Sequence, residues 1–200
     1  MGVEADDRDI VKGLRRGDAA AFNRAYAKYR PRVYGFLLRL SGRRDVADDL
    51  LQETWLRLAR SASDLREDTV LLSWLFTVAR NQFLSFRRWS VLDVTRLLSF
   101  GAETLDAIAI PGPEARSEAT ARLTLLERAL LELPTEMREA LLLVAVEGVE
   151  QEEAAAILGI TYAALRQRLS RARTELDKRV SLHDTRAGDK LAEQRSRGTT

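Results

Sequence analysis

The 200-residue sequence contains no cysteine and only one histidine, His183. Without cysteine the chain forms neither a disulfide framework nor a thiolate metal site, and a single histidine in a polar tail offers little imidazole chemistry. No apolar run approaches the length of about 20 residues that a membrane-spanning helix needs. The acidic N-terminus lacks the apolar core of a signal peptide. We therefore expect a cytoplasmic protein without membrane insertion, metal or cofactor.

Residues that favour strands are also scarce. Leu, Ala, Arg and Glu dominate the sequence, and runs of Val, Ile, Thr and Tyr are few. The hydrophobic share of 46% and the charged share of 31% are typical of a globular chain rather than a disordered one. The composition predicts an all-α fold.

The net charge of +2 hides a strong segregation of charge along the chain. Residues 161–179 carry six basic side chains against two acidic ones, and residues 78–96 carry four against one. Residues 45–53 reverse the sign with Asp45, Asp48, Asp49 and Glu53. Such segregation indicates at least two kinds of partner surface.

Apolar residues at helical spacing predict two helical domains. The first domain spans residues 1–90 and the second 117–180, joined by a Gly- and Pro-punctuated linker at 91–116 and followed by a disordered tail at 181–200. Within the linker "VLDVTRLLSF" could form a short helix, and a loop packed on its own domain is the alternative to a linker. One helix begins after the N-cap Asp18, bends at Pro31 and ends at Gly42. Further helices are predicted at about 45–60, 69–89, 117–131, 135–146, 151–158 and 162–179.

The stretch "QEEAAAILGITYAALRQRLS" has the layout of a helix-turn-helix. Ala155 allows the two helices to approach closely, Gly159 supplies the positive φ of the turn, and Leu165 anchors the second helix in the core. The N-terminal end of that second helix is suited to the major groove. Arg166 and Gln167 are placed for base edges, whereas Arg171 and Arg173 are suited to phosphates; an arginine-rich solvated helix is the alternative.

A second basic stretch, "VARNQFLSFRRW" at residues 78–89, allows two interpretations. Phe83 and Phe86 could pack into a core while the arginines face water. Alternatively the arginines hold a phosphate backbone while aromatic rings meet unstacked bases. Both interpretations hold together if they apply to opposite faces of one helix, with Trp74, Phe76 and Phe83 in the core.

The segment "LPTEMREALLLVAVEGVEQEEAAAILGITYAALRQRLSRARTEL" resembles the C-terminal promoter-binding domain of extracytoplasmic-function (ECF, group IV) sigma factors of the sigma-70 family. The segments "GDAAAFNRAYAKY", "DVADDLLQETWLRLAR" and "WLFTVARNQFLSFRR" resemble the N-terminal domain of the same family in order and spacing. The resemblance covers about residues 9–90 and 117–179. It implies sigma region 2 and sigma region 4 domains, joined by a flexible linker.

The resemblance implies a non-enzymatic subunit that binds core RNA polymerase, directs it to promoters and helps to open the duplex. The partners would be the clamp helices of the largest polymerase subunit and the flap region, promoter DNA, and an anti-sigma factor that holds the otherwise monomeric protein. The acidic docking set for polymerase is Asp45, Asp48, Asp49, Gln52 and Glu53. The set for the −10 element is Asp64, Arg66, Arg80, Asn81, Arg87 and Arg88. The set for the −35 element is Tyr162, Ala163, Arg166, Gln167, Ser170, Arg171 and Arg173.

The sequence departs from the family pattern in two places. Glu150-Gln151 and Ala163-Ala164 stand where the family commonly has Ser-Tyr and Gly-Thr, and Thr161 is the remaining hydroxyl that can cap the recognition helix. These departures keep open a sigma mimic that sequesters an anti-sigma factor without binding DNA. A helix-turn-helix repressor leaves the first ninety residues unexplained, and no catalytic constellation can be assembled for an enzyme.

Overall fold

The computed structural model of the chain describes residues 5–97 and 118–197. Within these two ranges the chain is helical and contains no strand, which confirms the all-α prediction. Its α-helices are α1 (Ala5–Arg15), α2 (Ala19–Ser41), α3 (Arg44–Ser61), α4 (Leu71–Leu97), α5 (Glu118–Leu131), α6 (Thr135–Leu141), α7 (Gln151–Leu158) and α8 (Tyr162–Arg197). A 3-10 turn, Ala62–Asp64, follows α3, and a π-helical turn, Leu142–Val146, continues α6. None of these helices is long and apolar enough to cross a membrane.

The first helical unit, α1–α4, is organised around α2. The side chain of Asp18 accepts a hydrogen bond from the amide of Ala20 at 2.8 Å, and Gly42 ends the helix in the left-handed region with φ of 72°. Both predicted ends of this helix are therefore confirmed. Between them α2 buries one face, and Phe36 meets Phe76 of α4 with ring centroids 5.1 Å apart. Because Phe36 and Phe76 are fully buried, this contact fixes α4 against α2.

Two predicted boundaries differ in the structure. Helix α4 continues to Leu97 instead of ending near residue 89, because no Gly or Pro interrupts the chain before Gly101. The rest of the predicted linker, residues 98–117, lies outside the described residues. Helix α8 continues through the predicted disordered tail to Arg197. A single glycine, Gly188, costs a helix only about 1 kcal/mol and does not stop it.

The helix-turn-helix of the second unit, α5–α8, forms as predicted. Gly159 adopts φ of 66° and closes α7 through hydrogen bonds from its amide to the carbonyls of Ala155 and Ala156. The amide of Ala164 donates to Thr161 Oγ1 at 3.2 Å, so Thr161 caps the recognition helix α8. Leu165 is fully buried and holds α8 on the unit's core. The turn therefore fixes where the first residues of α8 lie.

We expect Gly159→Ala to lower the free energy of unfolding by about 1–2 kcal/mol, because an L-residue with a Cβ is strained in the left-handed region. A Cβ at this position would meet no atom within 4 Å, so the cost arises from the backbone alone. Urea denaturation measures the loss. Gly159→Asn is the matched control and should recover part of the stability, since asparagine tolerates this conformation. Equal stability of Gly159→Ala and wild type would contradict this account of the turn.

Candidate nucleic-acid and polymerase interfaces

The outer face of α8 carries the whole set predicted for the −35 element. Every residue of that set is exposed: Tyr162, Ala163, Arg166, Gln167, Ser170, Arg171 and Arg173. The inner face of the same turns is buried, with Leu165, Leu169 and Ala172 at 3% exposure or less. The Arg166 guanidinium lies 5.9 Å from the centre of the Tyr162 ring. The helix therefore presents a polar and basic surface at its N-terminal end while apolar residues hold it in place.

The residues predicted for the −10 element lie on two elements of the first unit. Asp64 and Arg66 are exposed in the connection between α3 and α4, and Asn81, Arg87 and Arg88 are exposed on α4. The structure thus places five of the six residues at the surface; the sixth, Arg80, is half-buried.

Arg66 is paired within its own loop. Its guanidinium donates two hydrogen bonds of 3.0 Å to the Asp68 carboxylate. This pairing raises the pKa of Arg66 and lowers the pKa of Asp68. Both side chains are fully exposed, so solvent screens the pair and leaves Arg66 able to exchange Asp68 for another anion.

The aromatic residues of α4 divide between core and surface. Phe76 and Phe83 are buried and Trp74 is half-buried against the core, which confirms the predicted core placement. Phe86 is 37% exposed and Trp89 is 66% exposed. The interpretation that places Phe86 in the core is therefore wrong in the structure. Trp89 was not assigned a role from the sequence.

Arg80 does not have the free guanidinium that its predicted role as a phosphate contact requires. It donates two hydrogen bonds to the carboxylate of Glu139 in α6, with Nε to Oε2 at 2.7 Å and Nη2 to Oε1 at 3.1 Å. Arg168 of α8 donates to Glu139 Oε1 at 3.3 Å. Glu139 is only 1% exposed. One buried carboxylate therefore joins the first unit to the recognition helix, and Arg80 can reach a phosphate only by leaving it.

Further polar contacts join the two units around this buried group. Arg32 of α2 donates to Glu147 Oε2 at 3.0 Å, and Arg87 donates to Thr135 Oγ1 at 2.7 Å. Arg138 of α6 donates to the carbonyl of Leu40, at the end of α2, at 2.8 Å. Burial, together with the nearby charge of Arg87, lowers the pKa of Arg138 to about 10.

Sequence reasoning missed these contacts. No sequence signal linked Arg138 or Glu139 to residues of the first unit.

The predicted polymerase-docking set lies along one face of α3. All five of its residues are exposed: Asp45, Asp48, Asp49, Gln52 and Glu53. The opposite face is buried through residues such as Leu51 and Leu58. Asp45 pairs with Arg43, and hydrogen bonds from Arg43 and from the Val46 amide lower its pKa. The other acidic residues of the set leave a negative surface on α3.

No group of acidic or histidine side chains within residues 5–97 and 118–197 is arranged to hold a metal ion. The conspicuous surfaces in these ranges are instead charged helix faces, two of them basic and one acidic. Charged faces of this kind attract partners of the opposite charge.

Comparison with known proteins identifies the class to which these surfaces belong. Residues 25–89 match the family Sigma-70 region 2, and residues 123–176 match the family Sigma-70, region 4. The chain is 38% identical to the ECF RNA polymerase sigma factor EcfG of Rhodopseudomonas palustris over 146 residues, covering 73% of this chain and 77% of that protein. It is 27% identical to the ECF RNA polymerase sigma-E factor of Escherichia coli over 186 residues, covering 90% of this chain and 97% of that protein.

Solved structures show the same architecture. The sigma factor RpoE of Bartonella quintana, solved in complex with the anti-sigma factor NepR, aligns with a TM-score of 0.69 and 29% identity, covering 80% of this chain and 96% of that one. CnrH, solved with the cytosolic domain of CnrY, shares the fold with a TM-score of 0.66 and 24% identity, covering 90% of this chain and 99% of that one.

The chain belongs to the extracytoplasmic-function sigma factors of the sigma-70 family. Its first helical unit is sigma region 2, and its second is sigma region 4. It is a transcription initiation factor that gives RNA polymerase its promoter specificity. Sigma factors act by binding, and the polymerase to which they bind is the enzyme.

Proposed function

We propose that the three exposed surfaces divide the work of promoter recognition. The acidic face of α3 binds core polymerase, α4 and the loop before it bind the melted −10 element, and the N-terminal end of α8 reads the −35 element. The observation that carries this proposal is the two-sidedness of α8. Its predicted DNA contacts are all exposed while Leu165, Leu169 and Ala172 anchor the helix from behind.

On α8 the proposed contacts fall into two kinds. Arg166 and Gln167 lie in the first turns, where a recognition helix meets base edges in the major groove. Arg171 and Arg173 lie further along the helix and bind phosphates, which fix the register of the helix without reading sequence. Region 4 also contacts the flap region of the polymerase.

On α3 the proposed partner is basic, namely the clamp helices of the largest polymerase subunit. Asp48, Asp49 and Glu53 are exposed and none of them is held by a strong local ion pair in the described structure. Complementary charge speeds and orients such an encounter.

We further propose that an anti-sigma factor holds the free, monomeric protein. The support is that the Bartonella quintana relative was solved in complex with its anti-sigma factor NepR. In the structure the two regions pack on each other and Arg80 is engaged with Glu139. The −10 and −35 elements are about 25 base pairs apart, roughly 85 Å at 3.4 Å per base pair. Promoter binding therefore requires the regions to separate, and separation frees Arg80 for phosphate.

Run-off transcription with purified core polymerase tests the proposed function. The template is promoter DNA recovered by genome-wide binding of the chain. We expect transcripts to begin at defined sites only when the chain is added. A chain that never initiates yet binds a regulatory protein tightly would instead be a sigma mimic.

In the same system we expect Asp48→Ala/Asp49→Ala to weaken association with core polymerase roughly tenfold at physiological salt, mainly by slowing association. The loss should shrink as salt rises, because exposed charges are screened. Surface plasmon resonance measures both rates. The control Asp9→Ala/Glu127→Ala removes two exposed acidic residues elsewhere and should bind like wild type. An equal loss in the control would show that net charge, and not the face of α3, drives docking.

A further inference from the structure

Among the side chains whose exposure the structure describes, Trp89 is the most exposed large apolar one, at 66%. The other two tryptophans are buried at least in part, since Trp55 is 5% exposed and Trp74 packs against the core. An indole is a large apolar group, and leaving most of it in water forgoes the free energy that its burial would contribute. Such a side chain at the surface points to a partner that covers it.

The position of Trp89 on α4 shows which surface it extends. Asn81, Ser85, Arg88 and Trp89 recur at i, i+4, i+7 and i+8 and therefore share one helix face. Asn81 and Arg88 are exposed on this face and belong to the set predicted for the −10 element. Arg88 donates to Ser85 Oγ at 3.2 Å, which lays its guanidinium along the face. Trp89 thus lies at the end of the predicted nucleic-acid surface.

The charge around Trp89 selects an anionic partner. Residues 78–96 contain four arginines and a single acidic residue, Asp93. An aromatic ring among arginines on a predominantly basic helix is the combination that binds single-stranded nucleic acid, in which rings stack on bases and guanidinium groups meet phosphates. An apolar protein partner explains the exposed ring but not the basic surface around it.

We infer that Trp89 is a stacking platform for an unpaired base of the non-template strand. This inference rests on the proposed function, because it assigns a further residue to the surface that binds the −10 element. Trp89 is eight residues from Asn81, or about 12 Å along the helix at 1.5 Å per residue. The base on Trp89 is therefore three or four nucleotides from the nucleotide at Asn81, at about 3.4 Å per stacked base. Arg88 holds the phosphate beside it.

The test measures binding of reconstituted holoenzyme to a promoter fragment whose −10 region is held open by mismatches. We expect Trp89→Ala to weaken binding about tenfold, within the range found when a base loses its aromatic platform. Trp89→Phe keeps a ring and should stay within about threefold of wild type. A duplex fragment that carries only the −35 element should bind wild type and Trp89→Ala equally. Because Trp89 is exposed, the unfolding midpoint of the chain should not change.

An abasic scan locates the base. Single abasic sites are placed one at a time along the non-template strand of the mismatched fragment. The same scan with Asn81→Ala identifies the nucleotide that Asn81 contacts, as the abasic position at which Asn81→Ala no longer weakens binding. At a second position, three or four nucleotides away, wild type and Trp89→Ala should bind equally, since the base that stacks on Trp89 is already absent there. If the tenfold difference persists at every abasic position, Trp89 does not stack on a base of this strand. If Trp89→Ala binds the fragment without an abasic site as tightly as wild type does, the ring makes no contact with the promoter.

Arg171→Ala/Arg173→Ala separates this inference from the proposed function. The proposed function fails if two results are found together. Wild-type holoenzyme would bind the fragment no more tightly than core polymerase does, and the double substitution would leave the affinity of the holoenzyme unchanged. If wild type binds, the double substitution weakens binding and Trp89→Ala has no effect, only the stacking role fails.

Discussion

Replacing Glu139 by alanine should lower the free energy of unfolding by about 3–5 kcal/mol, the range found when one partner of a buried ion pair is removed. The substitution leaves Arg80 and Arg168 facing the space of a lost carboxylate. Their side chains are only 15% and 23% exposed, so water replaces the carboxylate poorly. The loss measures the cost of stranded charge and not the net contribution of the ion pair.

The distribution of tryptophan makes this experiment more informative. Trp55, Trp74 and Trp89 all lie in region 2, whereas Glu139 lies in region 4. Tryptophan fluorescence therefore reports unfolding of region 2, and far-UV circular dichroism reports the helices of both regions. Because Glu139 is bonded to Arg80 of region 2, we expect Glu139→Ala to lower the urea midpoint seen by both probes.

Two further variants test whether the loss of stability comes from the buried carboxylate itself. Glu136→Ala removes an exposed carboxylate from the same helix and should change stability by no more than about 0.5 kcal/mol. Glu139→Gln retains the shape and one acceptor oxygen, so it should lose less stability than Glu139→Ala. A shift in circular dichroism without a shift in fluorescence would mean that Glu139 stabilises only region 4, through Arg168.

The sequence predicts local structure well where a single residue type determines it. Gly159, Thr161 and Leu165 each have one evident role in a helix-turn-helix, and the structure has all three in those roles. The face of α3 was equally predictable, because spacing alone decides which residues share a helix face. The end of α4 was predicted too early, at the change in composition near residue 90, although no Gly or Pro interrupts the chain before Gly101.

Partners distant in sequence were beyond this kind of prediction. Arg80 and Glu139 are separated by 59 residues, and nothing in either local sequence indicates that they meet. The exposure of Trp89 is of the same kind, because it depends on which residues distant in sequence pack against this end of α4. The set predicted for the −10 element includes Arg80, which the structure shows hydrogen-bonded to Glu139, and does not include the exposed Trp89.

Replacing both Arg171 and Arg173 by alanine should weaken binding of the holoenzyme to its promoter roughly 30-fold at 0.15 M salt. Each phosphate contact releases about 0.9 of a counterion from duplex DNA, so two contacts release about 1.8. Relative to 1 M salt, this release raises the affinity at 0.15 M salt by a factor of about (1/0.15) to the power 1.8, or roughly 30. The same reasoning predicts that the slope of log affinity against log salt becomes shallower by about 1.8. Filter binding over a series of salt concentrations measures both quantities.

A matched control shows whether the position of the charge matters. Lys178→Ala also removes an exposed positive charge from α8, but outside the proposed contact set, and should leave the slope nearly unchanged.

Arg166→Ala should behave differently from both of these variants. As a base contact it should weaken binding by about 1–3 kcal/mol at the base pair it reads and should relax specificity there, with little change in slope. If Lys178→Ala and the Arg171/Arg173 variant changed the slope equally for each charge removed, Arg171 and Arg173 would have no specific phosphate contacts, and α8 would bind DNA through its overall positive charge. If Arg166→Ala weakened all promoter sequences uniformly, its guanidinium would meet phosphate and the base-reading role would pass to Gln167 and Tyr162.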